Sequence, residues 1–299
     1  MADLRVWLGD LVRQGLADLP KRGRGLWLGA ANRLVDAYAL EAARQLREMA
    51  SIPGNGPDWP ERLLPRLGRL ALLGEAFARL DDLSPGERAD ALLAAAGPGC
   101  AAGESMSDEW LVLGQANQIE NREFRSRVWL FGLTTKRWAR VDHTCAVGRL
   151  EGACLPAGAV MAGDLTFATS AFPHMACAGR LSLVRLGNPA AALAALTGMD
   201  EGLARYAAAL AVNPWLRHYP LAPTEVFVEP PATDGRWRVR DRGGRVLPLP
   251  ARFPHGWRLL SLAADRPLSL FGEWDGTTFT PLSVYDKVWQ AMAGWRGLP

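Results

Sequence analysis

The hydrophobic periodicity changes once along these 299 residues, and this change restricts the possible folds more than any other feature of the sequence. Up to residue 97, apolar side chains recur every three or four positions, as they do on one face of an α-helix. From Glu109 onwards apolar and polar residues alternate, which is typical of half-buried strands. A Gly-, Ala- and Ser-rich stretch at 97–107 separates the two patterns. We therefore predict an α+β protein with a helical domain at 1–100 and an antiparallel β-rich domain at 108–299.

The helical domain is predicted to contain about four amphipathic helices. The clearest start signal is the segment 84–87 (SPGE), in which the serine caps a backbone amide, the proline suits the first helical position and the glutamate reaches back. Asp58 and Pro60 start the preceding helix in a similar way. Earlier in the chain an apolar stripe runs without interruption from Ala31 to Met49, which predicts one long helix there.

The β-rich domain is predicted to be a meander of antiparallel strands with one inserted helix. Alternation is clearest at 110–115, 124–131 and 138–144, and a turn at 132–136 joins the second and third of these strands as a hairpin. A proline opens an alanine-rich helix near 189–210. Further strands are predicted at 160–170, 181–186, 225–228, 237–240, 257–263 and 267–274.

The charge of the chain is nearly balanced. Its 34 basic and 31 acidic residues are mixed along the sequence and leave a formal charge of +3. Nearly every basic residue is an arginine, which together with the many Ala, Gly and Pro is typical of a GC-rich bacterial genome. Composition alone therefore gives little support to nucleic-acid binding.

Neither an export signal nor a membrane-spanning segment is predicted. The first ten residues carry three charges and lack the long apolar run of a signal peptide. No stretch approaches the roughly 18 uncharged apolar residues that a bilayer crossing needs. The four cysteines are few for this length and are expected to be reduced thiols. We therefore expect a cytoplasmic protein with no membrane contact.

The sequence contains no recognisable catalytic or metal motif. It has no G-x-S-x-G nucleophile elbow and no glycine-rich phosphate loop. Zinc-type ligands do occur within one segment, but their spacing differs from the short pairs of a closed zinc site, so buried thiols are favoured. These ligand types are His143, Cys145, Cys154, His174 and Cys177. We therefore predict no catalytic residue, no cofactor and no metal.

A hidden active site is one alternative hypothesis. It requires polar groups from distant parts of the chain to converge in a pocket. The candidates for such a pocket are Asp142, His143, Glu273 and Asp275. No motif around the histidines assigns them a role, so structural imidazoles are favoured over catalytic bases.

A second alternative is a surface for nucleic acid or for a protein partner. Guanidinium groups hold phosphates, and a tryptophan stacks on a base. The same pattern is also typical of the solvated face of an antiparallel sheet. The twelve tryptophans favour packing first and partner anchoring second. The candidate surface consists of Lys21, Arg22, Arg24, Arg125, Arg127 and Trp129.

Six short segments resemble the long region that follows the zinc finger in bacterial SWIM zinc-finger family proteins. They are 7–16 (WLGDLVRQGL), 33–37 (RLVDA), 59–70 (WPERLLPRLGRL), 110–115 (WLVLGQ), 127–132 (RVWLFG) and 270–276 (LFGEWDG). The family's finger is a C-x-C pair followed by C-x-H, and this arrangement is absent from residues 1–299. The resemblance therefore assigns no zinc ligand and no finger-based DNA or protein contact to any residue here.

The resemblance also implies a place in a multi-protein assembly. Relatives tend to be encoded beside a MoxR-type AAA ATPase and a von Willebrand factor A-type protein, which are the partners it implies. The sequence thus favours a non-catalytic adaptor or scaffold module, with a nucleic-acid-binding module as the alternative. A separate chain that supplies the zinc finger is compatible with either hypothesis.

Overall fold

The computed structural model describes residues 1–97, 103–120, 123–146, 155–170, 174–187, 198–233, 235–286 and 288–292. The chain divides into two compact units. The helical unit comprises Met1–Gly99 with the short segments Thr169–Phe172 and Leu210–Trp215, and the β-rich unit comprises the rest. An α+β fold with a helical part followed by a β-rich part is thereby confirmed.

The helical unit is a bundle around one apolar core. Leucine and alanine side chains from every long helix meet there, and Trp27 is also fully buried. The first helix packs on the fifth and the third on the fourth. Its helices are α1 (Ala2–Arg13), α2 (Leu19–Arg22), α3 (Gly25–Asp36), α4 (Leu40–Met49), α5 (Trp59–Ala78) and α6 (Pro85–Ala96), with a 3₁₀ turn at Leu80–Asp82. None of the helices in the described ranges is long and apolar enough to cross a membrane.

Two sequence predictions for this unit have opposite outcomes. The capping box before α6 is confirmed, because Ser84 Oγ accepts from the Glu87 amide at 3.4 Å and a Glu87 carboxylate oxygen accepts from the Ser84 amide at 2.9 Å. The single helix from Ala31 to Met49 is wrong. The chain breaks into α3 and α4 at Tyr38, whose φ of 56° lies in the left-handed region.

The β-rich unit is built around a closed five-stranded barrel. Strands β1, β2 and β3 form an antiparallel meander, β4 returns beside β1, and β5 closes the ring by pairing parallel to β3 and antiparallel to β4. A sixth strand extends the sheet along β4. The bounds are β1 (Ser105–Glu120), β2 (Glu123–Gly132), β3 (Trp138–Ala146), β4 (Ala159–Phe167), β5 (Met175–Ala178) and β6 (Ser182–Leu186).

This strand order is the Greek-key order 4-1-2-3, closed by a fifth strand, which is the architecture of an OB-fold barrel. The barrel interior is filled by side chains that alternate along the strands, among them Trp110, Val128, Leu130 and Phe167. The Trp110 indole donates to the Gly163 carbonyl oxygen at 3.0 Å, so its one polar group is satisfied inside the barrel.

Two smaller sheets follow the barrel in the same unit. The four-stranded sheet has the order β13-β12-β11-β7 and the three-stranded sheet the order β10-β9-β8. Their strands are β7 (Tyr219–Leu221), β8 (Phe227–Glu229), β9 (Arg238–Arg240), β10 (Val246–Pro248), β11 (Ser269–Trp274), β12 (Phe279–Asp286) and β13 (Val288–Ala291). Two helices accompany them, α7 (Met199–Val212), whose residues up to Ala209 belong to this unit, and α8 (Gly256–Ala263).

The helix α8 corrects the sequence prediction, which placed a strand at 257–263. Leu259 and Ala263 are buried at a spacing of four residues, so the apolar side of this segment follows helical and not strand periodicity. The predicted inserted helix near 189–210 corresponds to α7 from Met199 onwards. Its first part, and also Cys100 and Cys154, lie outside the described residues.

The four-stranded sheet packs on the outside of the barrel. Leu113 and Trp129 from the barrel meet Phe271 and Leu282 from the second sheet in one apolar cluster. Gly114 allows this close approach, because a Cβ there would lie 2.8 Å from Leu282 Cβ and 2.9 Å from the Phe271 ring. Much of the outer face of β1 and β2 is therefore an internal interface of the unit.

Candidate functional site

Glu273 on β11 is a buried carboxylate that faces the barrel. Its Oε1 accepts hydrogen bonds from Arg127 Nε and from Trp129 Nε1, the latter at 2.7 Å. Its Oε2 accepts from Arg127 Nη2 at 2.7 Å and lies 3.3 Å from His218 Nδ1. Alternation along β2 explains the arrangement, because Val128 points into the barrel and its neighbours Arg127 and Trp129 therefore point outward.

The environment sets the charge states of this cluster. Burial by itself would raise the pKa of Glu273, but Arg127 and His218 together hold that pKa well below its usual value. Burial, aided by Arg127 and opposed by Glu273, lowers the pKa of His218 to about 4. At neutral pH the carboxylate is therefore ionised and the imidazole neutral. The bidentate Arg127–Glu273 pair links β2 to β11 with the strongest kind of protein hydrogen bond.

A small cleft of about 30 Å³ lies beside this cluster, enough for about two water molecules. Its lining includes Trp138, His174, Arg205 and Tyr219. The pKa of His174 is lowered to about 4, chiefly by burial, and burial also raises the pKa of the Tyr219 hydroxyl. The His174 ring packs edge-on to Trp129 at 6.1 Å and to Tyr219 at 6.3 Å, so aromatic contacts fix its position.

The structure corrects the strand half of the predicted binding surface. Trp129 is only 1% exposed, and its indole lies against Phe271 and donates to Glu273, so it cannot stack on a base. Arg127 is held by the same carboxylate. Of the three, Arg125 retains most solvent contact, and it forms an ion pair with Glu123 at 2.8 Å.

The basic turn, which forms the other half of that surface, belongs to the helical unit. Lys21 pairs with Asp18 at 2.9 Å, and Arg22 donates to the Gln14 side chain at 2.6 Å. Arg24 is exposed at the start of α3. The two halves of the predicted surface therefore lie in different units.

The residues of the hidden-active-site hypothesis are engaged by separate partners. Arg140 binds Asp142 through two hydrogen bonds of 3.0 Å. Asp275 accepts from the backbone amides of Thr277 and Thr278 at 2.8 and 2.7 Å and thereby orders the β11–β12 turn. These hydrogen bonds lower the pKa of Asp275 although burial opposes them. Each carboxylate thus has a local structural role, and Glu273 has the role described above.

The zinc-type ligands are dispersed over several elements. His143 is exposed on β3, His174 lies in the cleft, and Cys145 and Cys177 are partly buried thiols. Across the ranges that the structure describes, no three His, Cys, Asp or Glu side chains are grouped to hold a metal ion.

Tyr38 is an exposed aromatic residue that sequence reasoning placed on the apolar stripe and did not identify as a site. It occupies the left-handed C-terminal position of α3, where the Tyr38 amide donates to the Val35 carbonyl and the Ala39 amide to the Leu34 carbonyl, both at 2.9 Å. This is a Schellman motif, whose left-handed position is usually a glycine. The Tyr38 side chain is 84% exposed. Residues 37–39 include no glycine, asparagine or proline, so no local sequence signal predicts the break between α3 and α4.

The β-rich unit also contains a basic segment that the net charge of the whole chain does not reveal. Residues 236–266 contain eight arginines and two aspartates, a surplus of six positive charges in a chain whose total is +3. A window-by-window charge count would have found it. Trp257 lies within this segment and is 70% exposed.

In the described residues the chain is a helical bundle followed by a β-rich unit, and the helical part is similar to a SWIM-associated domain. Residues 1–94 match the family model described as the SWIM-associated four-helix bundle domain. The resemblance predicted from the sequence is thereby confirmed for the helical unit, about a third of the chain. A search of curated proteins and a search of solved structures each returned no match.

Proposed function

We propose that the chain is a non-catalytic adaptor whose helical unit binds a protein partner at the α3–α4 turn, with Tyr38 as the anchor. The observation that carries the proposal is the combination of backbone strain and exposure at this one aromatic residue. An L-residue in the left-handed region costs roughly 1–2 kcal/mol. An aromatic side chain that is 84% exposed recovers little of this cost by burial within the chain.

The surroundings of Tyr38 support a docking role. Leu40, two residues on, is 53% exposed, so the turn presents two large apolar side chains to solvent. Ala39 between them is buried and packs in the bundle core with Leu34, which anchors the turn. Tyrosines on rigid supports are enriched among the residues that dominate binding energy at protein interfaces. A glycine at position 38 would allow the same turn without backbone strain. The strain that tyrosine adds there is a reason to expect a function at this residue.

The non-catalytic part of the proposal is supported by how the buried charges are used. Glu273 is occupied by Arg127 and Trp129, and its role is to join β2 to β11. A carboxylate with these donors and a strongly lowered pKa is a poor general base. The nucleic-acid alternative through Arg127 and Trp129 is not proposed, because both side chains are committed to this pair of strands.

The resemblance to SWIM zinc-finger family proteins suggests which partners to test. We propose a MoxR-type AAA ATPase as the first candidate and a von Willebrand factor A-type protein as the second, both met in the cytoplasm. The matched family segment, residues 1–94, contains the Tyr38 turn. For this reason we place the contact on the helical unit.

The decisive variant is Tyr38→Gly. Glycine adopts the left-handed conformation without strain, so the variant is expected to unfold at a higher temperature while losing the anchor. Lys136→Gly is the matched control, because Lys136 is also a non-glycine residue with a φ near 57° and an exposed position, but it lies in the β2–β3 turn. Both variants and the unaltered chain are tested against the purified ATPase and the von Willebrand factor A-type protein by biolayer interferometry.

We expect Tyr38→Gly to weaken binding at least roughly tenfold, as loss of an interface anchor does, and Lys136→Gly to leave it unchanged. Affinity capture from native cells, quantified by mass spectrometry, extends the comparison to other partners. Equal recovery of every partner by the unaltered chain and Tyr38→Gly would contradict the proposed contact. Failure to capture any stable partner at native expression would contradict the adaptor role itself.

A further inference from the structure

Several arginines of the basic segment 236–266 are held by other parts of the chain. Arg240, Arg242 and Arg245 pair with three acidic residues that lie outside the segment, namely Glu229, Glu225 and Asp200. Arg252 and Arg258 are both exposed and form no ion pair or hydrogen bond with the part of the chain that the structure describes.

Trp257 lies between these two arginines in the chain, and its side chain packs on a buried aromatic ring. Its ring meets the buried Trp237 ring at 5.0 Å in an edge-to-face arrangement. Gly256 lies so close to Trp237 that a Cβ there would come within 2.1 Å of its indole, which seats the start of α8 on that ring. The exposed Trp257 indole is therefore a flat apolar surface that rests on a buried ring.

We propose that Trp257, Arg252 and Arg258 form a binding site for single-stranded nucleic acid. The indole stacks on one base, and the two guanidinium groups contact the flanking phosphates. This site is independent of the proposed adaptor function, because it lies in the other unit and uses none of the residues of the Tyr38 turn.

Single-stranded nucleic acid fits these groups better than an acidic protein segment does. Both ligands would satisfy the two arginines through carboxylate or phosphate oxygens. Only a nucleic acid also supplies a flat aromatic face at every repeat of the backbone, and base stacking on a tryptophan is largely independent of sequence. Duplex DNA fits less well, because its bases are already stacked on one another.

The test uses the full chain and a short fluorescein-labelled oligothymidylate, with fluorescence anisotropy measured as potassium chloride is raised. Trp257→Leu removes the stacking face but keeps a large apolar side chain on α8, and it is expected to weaken binding roughly tenfold. Trp257→Phe is expected to restore most of the affinity. Arg258→Gln is expected to lower the slope of log affinity against log salt by about 0.7.

Arg79→Gln is the matched control, since Arg79 is exposed directly after α5 in the helical unit, belongs to no candidate binding surface, and its removal changes the net charge equally. It should leave the affinity and the salt slope unchanged. Circular dichroism checks that each variant is folded. Absence of oligothymidylate binding at low salt overturns the proposal, and so does equal binding by the unaltered chain and Trp257→Leu. Poly-L-glutamate is tested in parallel, and binding of it in preference to the oligonucleotide would overturn the proposal in favour of an acidic protein ligand.

Discussion

Replacing Glu273 by glutamine tests whether the buried charge cluster holds the β-rich unit together. The change keeps the shape of the side chain but turns one carboxylate oxygen into an amide that donates hydrogen bonds. That amide then faces Arg127 or Trp129, which are themselves donors. Arg127 also keeps its charge without a counter-ion, in a site where the Glu273 side chain is only 5% exposed.

The expected cost follows from these contacts. Breaking a buried ion pair by removing one partner typically costs about 3–5 kcal/mol, because the remaining charge is left uncompensated. Since glutamine still offers one acceptor and Arg127 is 24% exposed, we expect about 3 kcal/mol. The free energy of unfolding of such a chain falls by about 2–3 kcal/mol for each molar increase in urea. The urea concentration at the unfolding midpoint should therefore fall by roughly 1 M.

The assay is urea unfolding followed by tryptophan fluorescence, with Glu229→Gln as the control. Glu229 also pairs with an arginine, Arg240, but the two side chains are 31% and 46% exposed, so its loss should cost less than about 1 kcal/mol. The double variant Arg127→Met/Glu273→Leu should recover only part of the stability, because apolar replacement of both charges is often neutral but the buried Trp129 indole loses its acceptor. If Glu273→Gln costs no more than Glu229→Gln, the carboxylate is not a structural link, and a chemical role for it must be reconsidered.

Two further predictions concern acid and the helix cap. His174 and His218 have folded pKa values of about 4 against an ordinary value near 6.5, so the unfolded chain binds more protons between these limits. The free energy of unfolding should therefore be at its full value above about pH 6.5 and fall by roughly 3 kcal/mol per histidine towards pH 4, and a flat urea midpoint over that range would refute this. Ser84→Ala should cost about 1 kcal/mol in urea unfolding through loss of the α6 cap, whereas Ser261→Ala, on the exposed side of α8, should cost almost nothing.

Local chemistry made part of the fold predictable. The Ser84 capping box needs only residues three positions apart in the chain, and alternation along β2 needs only its own sequence. The composition of 132–136 likewise predicts the turn between β2 and β3, and the antiparallel pairing of these strands confirms it. Each of these features is determined within a few residues, so one sequence is sufficient to identify it.

The errors arose where the deciding contact is distant or a local signal is missing. The segment 257–263 is a short apolar run, and only its packing against Trp237 distinguishes a helix from a strand there. Barrel closure depends on the parallel pairing of β3 with β5, which no local pattern specifies. Arg127 and Glu273 are separated by 146 residues, so a sequence that shows a strand with exposed arginines gives no sign of the carboxylate that neutralises one of them.

The second sheet also changes what the barrel can do. In an OB-fold, ligands bind on the outer face of the second and third strands. On that face of this protein, Trp138 stacks on Phe271 at 5.8 Å and Arg127 is neutralised by Glu273. The groups that would hold a nucleic acid are thus used to attach β11, and the fold alone is no argument for binding there. Among the described residues the most exposed aromatics are Tyr38 and Trp257, which lie off the barrel, and a ligand-binding role is therefore better sought at these two positions.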